Sequence, residues 1–88
     1  MSNIENDIFE KVKKIISKVL NLPEEKIAEN SKLVDELGAE SLDFITLIME
    51  FEDAFDKKIS DIEAQKLVTV ADIVNFINQK INVGVLIF

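Results

Sequence analysis

The residues whose types could carry chemistry gather in one stretch, Gly38-Ala39-Glu40-Ser41-Leu42-Asp43, and in the acidic segment that follows it to Phe55. Ser41 has the hydroxyl of a nucleophile, but a serine nucleophile needs a base within reach, most often His. The chain has no His. No Lys lies between Lys32 and Lys57, and no Gly-x-Ser-x-Gly elbow surrounds Ser41. The neighbouring carboxylates could move protons in principle, yet their spacing puts them on an exposed helix face with no sign of a cleft. Catalysis by this chain alone is therefore not expected. Two other tasks suit Ser41. A serine ahead of an amphipathic helix is a natural N-cap. A helix start also offers free N–H groups and the positive end of the dipole, which favour a phosphate by ~0.3–1 kcal/mol at an exposed position.

The same carboxylates invite a metal reading. An EF-hand needs Asp-x-[Asp/Asn]-x-[Asp/Asn]-Gly with Glu at the twelfth position, and no stretch fits. With neither Cys nor His, the commonest zinc sites are excluded as well. No metal site is expected.

A helix from Ser41 to about residue 56 must position this chemistry. On a helical wheel Phe44, Leu47, Ile48, Phe51 and Phe55 fall on one side. Leu42, Ile45 and Met49 fall on the other, with Asp43, Thr46, Glu50, Glu52 and Asp53 around them. One apolar stripe is enough to bury a helix. A second, ringed by carboxylates, has no use in a monomer unless a partner covers it. Leu42, Ile45 and Met49 are the candidate centre of a partner-binding surface, and Glu40, Asp43, Glu50, Glu52 and Asp53 its acidic rim.

Charge agrees with that reading. The net charge is −7, from 17 acidic residues against 10 basic ones, all Lys. Nucleic acid is excluded as a partner because a phosphate backbone needs cations. A basic protein surface is favoured instead. From Leu33 to Asp56 there are eight carboxylates and no basic residue. No run of ~18 apolar residues suggests a membrane span. The start, Met1-Ser2-Asn3-Ile4-Glu5, reads as neither a signal peptide nor a transit sequence, so a cytoplasmic location is expected.

At 88 residues the chain makes one domain with a small core. Ser2 and Glu5 read as a capping box opening a helix from about 3 to 20, with Ile8, Val12, Ile15, Ile16 and Val19 at helical spacing. Asn21-Leu22-Pro23 ends it. Residues 21 to 40 read as a long connection that Ile27, Leu33, Val34 and Leu37 pin to the core. After the second helix, Ser60 and Glu63 form a capping box for a short helix over 61 to about 66. Thr69 and Asp72 open a last helix from about 70 to 81, buried through Ile73, Val74, Ile77 and Ile81 with Phe76 beside them. The expected fold is all-α, a small four-helix bundle of three longer helices and one short one, with a long loop between helices 1 and 2. Residues 1–81 would form the domain. Residues 82–88, Asn82-Val83-Gly84-Val85-Leu86-Ile87-Phe88, read as an uncharged apolar tail.

Gly38-Ala39-Glu40-Ser41-Leu42-Asp43 ahead of an acidic helix resembles the prosthetic-group site of the acyl carrier proteins, which usually reads Gly-x-Asp-Ser-Leu. Glu40 stands where that pattern has Asp. The similarity continues through Leu33-Val34-Asp35-Glu36-Leu37-Gly38, Glu50-Phe51-Glu52-Asp53-Ala54-Phe55, Ile59-Ser60-Asp61-Ile62-Glu63-Ala64 and Thr69-Val70-Ala71-Asp72-Ile73-Val74, and covers roughly residues 4 to 80. It implies that Ser41 receives 4′-phosphopantetheine from coenzyme A through a separate phosphopantetheinyl transferase. The arm's thiol would then carry acyl thioesters, chiefly in fatty-acid synthesis, among enzymes with basic docking patches. A monomer is expected. Thr46 and Phe44 depart from the common fatty-acid carriers, which often have an acidic residue at the first position and a smaller one at the second. Two alternatives remain open on the residues alone: a carrier of another cargo, such as specialised lipid, polyketide or aminoacyl units, and an unmodified acidic helical interaction module.

Overall fold

A helix with one apolar stripe needs a partner, and in this chain the stripes are mutual partners. The computed structural model describes residues 4–82. Its helices are α1 (Ile4–Leu20), α2 (Ser41–Phe55), the short α3 (Asp61–Gln65) and α4 (Val70–Asn82), with one 3₁₀ turn at Glu24–Lys26. α1 packs against both α4 and α2. Their stripes meet in one core: Ile8, Val12 and Ile16 of α1, Leu47 and Phe51 of α2, and Val70, Ile73, Val74 and Ile77 of α4 are all buried. Ile15, Val19, Phe44, Ile48, Phe55, Phe76 and Ile81 pack around them, half-buried. The all-α bundle of three longer helices and one short one is as the periodicity predicts. The Ser2–Glu5 capping box and the tail from Val83 onward lie outside the described residues, and Asn82 is the last residue of α4.

Helix ends are set by backbone chemistry that hydrophobic periodicity does not show. α1 stops at Leu20 because Asn21 turns left-handed (φ 57°), and the Leu22 N–H reaches back to the Ser17 carbonyl at 3.1 Å. The stop thus comes before Pro23, which opens the 3₁₀ turn instead. α2 ends in the same manner at Asp56 (φ 54°), where the Asp56 and Lys57 N–H groups both return to the Glu52 carbonyl. α3 begins with the expected box: the Glu63 N–H donates to Ser60 Oγ at 3.1 Å, and the Ser60 N–H to Glu63 Oε1 at 3.0 Å. α4 begins with the Asp72 N–H on Thr69 Oγ1 at 3.1 Å and the Thr69 N–H on Asp72 Oδ2 at 3.0 Å.

The 21–40 connection is better ordered than a bare loop. Ile27 and Leu33 are buried and Leu37 is half-buried against the core. Val34 corrects the expectation: it is 62% exposed. The loop is held instead by its backbone. The Leu33 N–H donates to the Val68 carbonyl at 3.0 Å, and the Val70 and Ala71 N–H groups donate to the carbonyls of Ser31 and Glu29 at 3.0 and 2.7 Å. Apolar side chains in a loop have no fixed period, so which of them turns inward follows from these pairings.

Among the described residues, two carboxyls, those of Glu63 and Asp72, are held below their usual range, and the sign of their effect on stability follows. The Thr69 N–H, with the Val68 N–H and the Thr69 hydroxyl, holds the Asp72 carboxyl down against the cost of its partial burial. The Ser60 N–H and Lys80 do the same for Glu63. A carboxyl whose folded pKa is depressed contributes stability above its ordinary pKa, and that contribution is lost as pH falls through the folded pKa. The melting temperature should therefore fall as pH drops below the ordinary values of 3.8 for Asp and 4.5 for Glu. Thermal melts of Asp72→Asn, which keeps an acceptor oxygen without the charge, should show a shallower acid limb. An acid limb unchanged in that variant would mean that Asp72 contributes none of it.

Candidate functional site

Ser41 is placed by a turn and a cap. Gly38 has φ 77°, a left-handed conformation that a side chain disfavours, although a Cβ built there would meet no atom within 4 Å. The demand for glycine is thus one of backbone conformation and not of space. The Ala39 N–H then donates to the Leu33 carbonyl at 2.9 Å, and Ala39 is buried. Glu40 follows in extended conformation and is the N-cap. This corrects the sequence expectation, which gave the cap to Ser41. The Glu40 N–H donates to Asp43 Oδ2 at 3.1 Å, and the Glu40 carboxylate approaches the Asp43 N–H to close a capping box, without reaching a full hydrogen bond. An acid at the cap and an acid at the third helical position satisfy each other's backbone, so the box forms one residue earlier than a serine cap would. Ser41 is therefore the first helical residue, and its exposed hydroxyl takes no part in the cap. The first intrahelical bond runs from the Phe44 N–H to the Glu40 carbonyl at 2.9 Å. The N–H groups of Ser41 and Leu42 precede it and face no helical acceptor.

The helix that follows is two-sided as the wheel predicts. Leu47 and Phe51 are buried, whereas Leu42, Ile45 and Met49 are 74, 55 and 63% exposed. The acidic residues divide. Glu40 and Asp53 are exposed. Asp43 is occupied by the cap. Glu50 leans to α1, where its carboxylate meets Lys18 at 3.3 Å. Glu52 leans the other way and accepts the Ile59 N–H at 2.8 Å, which fixes the turn into α3. The Thr46 hydroxyl is spent within the helix, on the Leu42 carbonyl at 3.0 Å. The sequence reading missed Val34, Ile62 and Val68, all more than half exposed. A helical wheel for α2 cannot find them, because none lies on α2.

An open groove of about 750 Å³ runs beside Ser41, bordered by Val34, Ala39, Phe44, Ile45, Leu67 and Val68 among others. A second, of about 500 Å³, continues between α2 and α3 past Ile48, Met49 and Ile59. Phe44, Ile45, Ala64 and Gln65 border both. Among the described residues, no three acidic side chains come together as a metal would require, and no helix is long and apolar enough to cross a membrane.

Comparison with known proteins shows the family. A family model described as "Phosphopantetheine attachment site" matches residues 10–77. The chain belongs to the acyl carrier family. It is 47% identical over 75 residues to the acyl carrier protein of Thermotoga maritima, a match covering 85% of this chain and 93% of that protein. It is 49% identical over 75 residues to the acyl carrier protein of Buchnera aphidicola subsp. Schizaphis graminum, covering 85% and 95%. A solved structure of a candidate acyl carrier protein from Mycobacterium tuberculosis superposes with a TM-score of 0.72 at 38% identity, covering 77% of this chain and 90% of that one. Acyl carriers hold 4′-phosphopantetheine covalently. The present site has what such a group needs: an unengaged, exposed serine hydroxyl, two helix-start N–H groups and an apolar groove alongside.

The two faces of α2 should respond oppositely to substitution. Phe51→Ala removes a side chain that is 1% exposed and should cost ~3–5 kcal/mol in chemical denaturation. Met49→Glu alters an exposed position and should stay within about 0.5 kcal/mol of wild type. Unfolding by Met49→Glu would contradict the two-sided arrangement.

Proposed function

We propose that Ser41 is the attachment site of 4′-phosphopantetheine, and that this chain carries acyl intermediates as thioesters on that arm in cytoplasmic fatty-acid biosynthesis. The observation that carries the reading is the placement of Ser41. Glu40 takes over the cap, which leaves the Ser41 hydroxyl exposed and uncommitted at the head of α2, on the rim of an apolar groove. Bound there, the group supplies a terminal thiol for thioester formation. Every other contribution comes from the chain's own residues. Ser41 Oγ anchors the phosphodiester, and the N–H groups of Ser41 and Leu42 are the donors left to face it. Two carboxylates at the same helix start, Glu40 and Asp43, oppose further negative charge, so the phosphodiester is best accommodated on the solvent side. The groove beside Phe44 and Ile45 offers apolar shelter next to the arm.

The protein acts without catalytic groups of its own. A phosphopantetheinyl transferase loads it, and fatty-acid synthesis enzymes with basic docking patches use it. Leu42, Ile45 and Met49 form the apolar centre they grip, and the exposed acids Glu40 and Asp53 supply the acidic rim most directly, Glu40 while also closing the cap of α2. Asp43, Glu50 and Glu52 contribute charge from positions they also hold for the fold. The acting unit is the domain over residues 1–81, as a monomer.

Incubation with coenzyme A and a broad-specificity phosphopantetheinyl transferase, read by intact mass, tests the site. Wild type should gain one phosphopantetheine and Ser41→Ala none. Since Ser41 is not the cap, the alanine variant should remain folded, within about 0.5 kcal/mol of wild type. An adduct that persists in Ser41→Ala would refute the site. An unmodified wild type would favour the plain interaction module.

A further inference from the structure

One carboxylate outside this surface does more than begin a helix. Asp72 stands in the first turn of α4, and its Oδ2 accepts the Val68 and Thr69 N–H groups, each at 3.0 Å. The Val68 carbonyl and the Thr69 N–H belong to one planar peptide unit. While Asp72 holds the N–H end of that plane, the carbonyl end accepts the Leu33 N–H at 3.0 Å. The Leu33 carbonyl in turn accepts the Ala39 N–H at 2.9 Å. Leu33 and Ala39 are both buried, at 1 and 4% exposure, so neither amide can exchange its partner for water without local opening. Ala39 is two residues from Ser41, and Val68, Ala39 and Ser41 border the same groove.

We propose that Asp72 is a positioning residue for the chemistry at Ser41: it orients the Val68–Thr69 peptide, which through Leu33 and Ala39 sets where Ser41 is presented and how the adjacent groove wall stands. The proposal rests on the reading of Ser41 as the attachment site. Removal of the carboxylate frees the N–H end of the peptide plane. The Val68 carbonyl can then rotate away from Leu33, and the turn before Ser41 loses its tie to α4. The Ser31–Val70 and Glu29–Ala71 pairs lie on the far side of that peptide. They keep the loop attached, so the effect is a local loosening and not a loss of fold.

Amide hydrogen exchange and transferase kinetics on Asp72→Ala test this. Loss of a cap interaction corresponds to roughly a fivefold increase in local opening, so the Leu33 and Ala39 amides should exchange at least about fivefold faster relative to amides of α1. Turnover by a broad-specificity phosphopantetheinyl transferase at saturating carrier should fall. Its KM should change little, because the exposed face of α2 is intact. Asp72→Asn, which retains an acceptor oxygen, should restore both. Ile16→Val is the control: it thins the core from α1 and lowers overall stability by a comparable amount while changing none of the groups that make the Leu33–Val68 and Ala39–Leu33 hydrogen bonds. If Leu33 and Ala39 speed up only in step with α1, or if Ile16→Val loses as much turnover as Asp72→Ala, Asp72 is a helix cap and nothing more. A wild type that is not modified at Ser41 would overturn the proposal together with the reading beneath it, and the exchange data would distinguish that failure from a failure of Asp72 to hold the Val68–Thr69 peptide.

Discussion

The burial of one face of α2 is the constraint on which the rest depends. A chain of this size can build only one core, and α2 joins it through Leu47 and Phe51, which are essentially sealed from water in the cluster they share with residues of α1 and α4. With that face committed, the helix has no freedom to roll. The opposite face, Leu42, Ile45 and Met49, must stand in solvent at the hydrophobic cost that an uncovered apolar patch always carries. The acyl carrier architecture is in this sense a small core arranged to keep one apolar helix face outside it.

Carboxylates serve the fold and the surface together. Asp43 and Glu52 each accept a backbone N–H, the first at the start of α2 and the second beyond its end. Ser60 with Glu63 and Thr69 with Asp72 do the same for α3 and α4. In a chain with so few glycines and prolines, helix boundaries are set largely by these side-chain acceptors and by the left-handed turns at Asn21 and Asp56. The acidity of the molecule is therefore only partly a display toward partners. Asp53 is free to face outward, Glu40 is exposed while it also closes the capping box of α2, and Glu50 is shared with Lys18 in an exposed pair of small energetic worth.

The long α1–α2 connection follows from the same economy. It has no helix of its own length to bury, so it borrows the edge of α4. Backbone pairs at Ser31, Leu33 and Glu29 tie it to residues 68–71. Through Leu33 and Ala39 that tie reaches the turn at Gly38 and delivers the chain to Ser41 in helical conformation. The site is thus supported from the far end of the sequence, although its motif is local.

Much of this was legible from residue order alone. Helical spacing over about 3–20, 41–56 and 70–81, the two-sided character of α2, the boxes at Ser60–Glu63 and Thr69–Asp72, and the family motif around Ser41 are all short-range patterns, set by the 3.6-residue period and by side chains that reach their own backbone three residues away. Tertiary structure decided the rest. The cap passed from Ser41 to Glu40 because the Ala39 bond to Leu33 fixes where the turn ends and Asp43 satisfies the residue that follows it. Val34 stayed in solvent while Leu33 went into the core, because a loop has no period and only its pairing with Val68 chooses the inward side chain. The division of the acidic rim among Lys18, Ile59 and solvent, and the groove that borders Ser41, depend on neighbours distant in sequence. A helical wheel shows which way a side chain points, but only the packed molecule shows what it meets there.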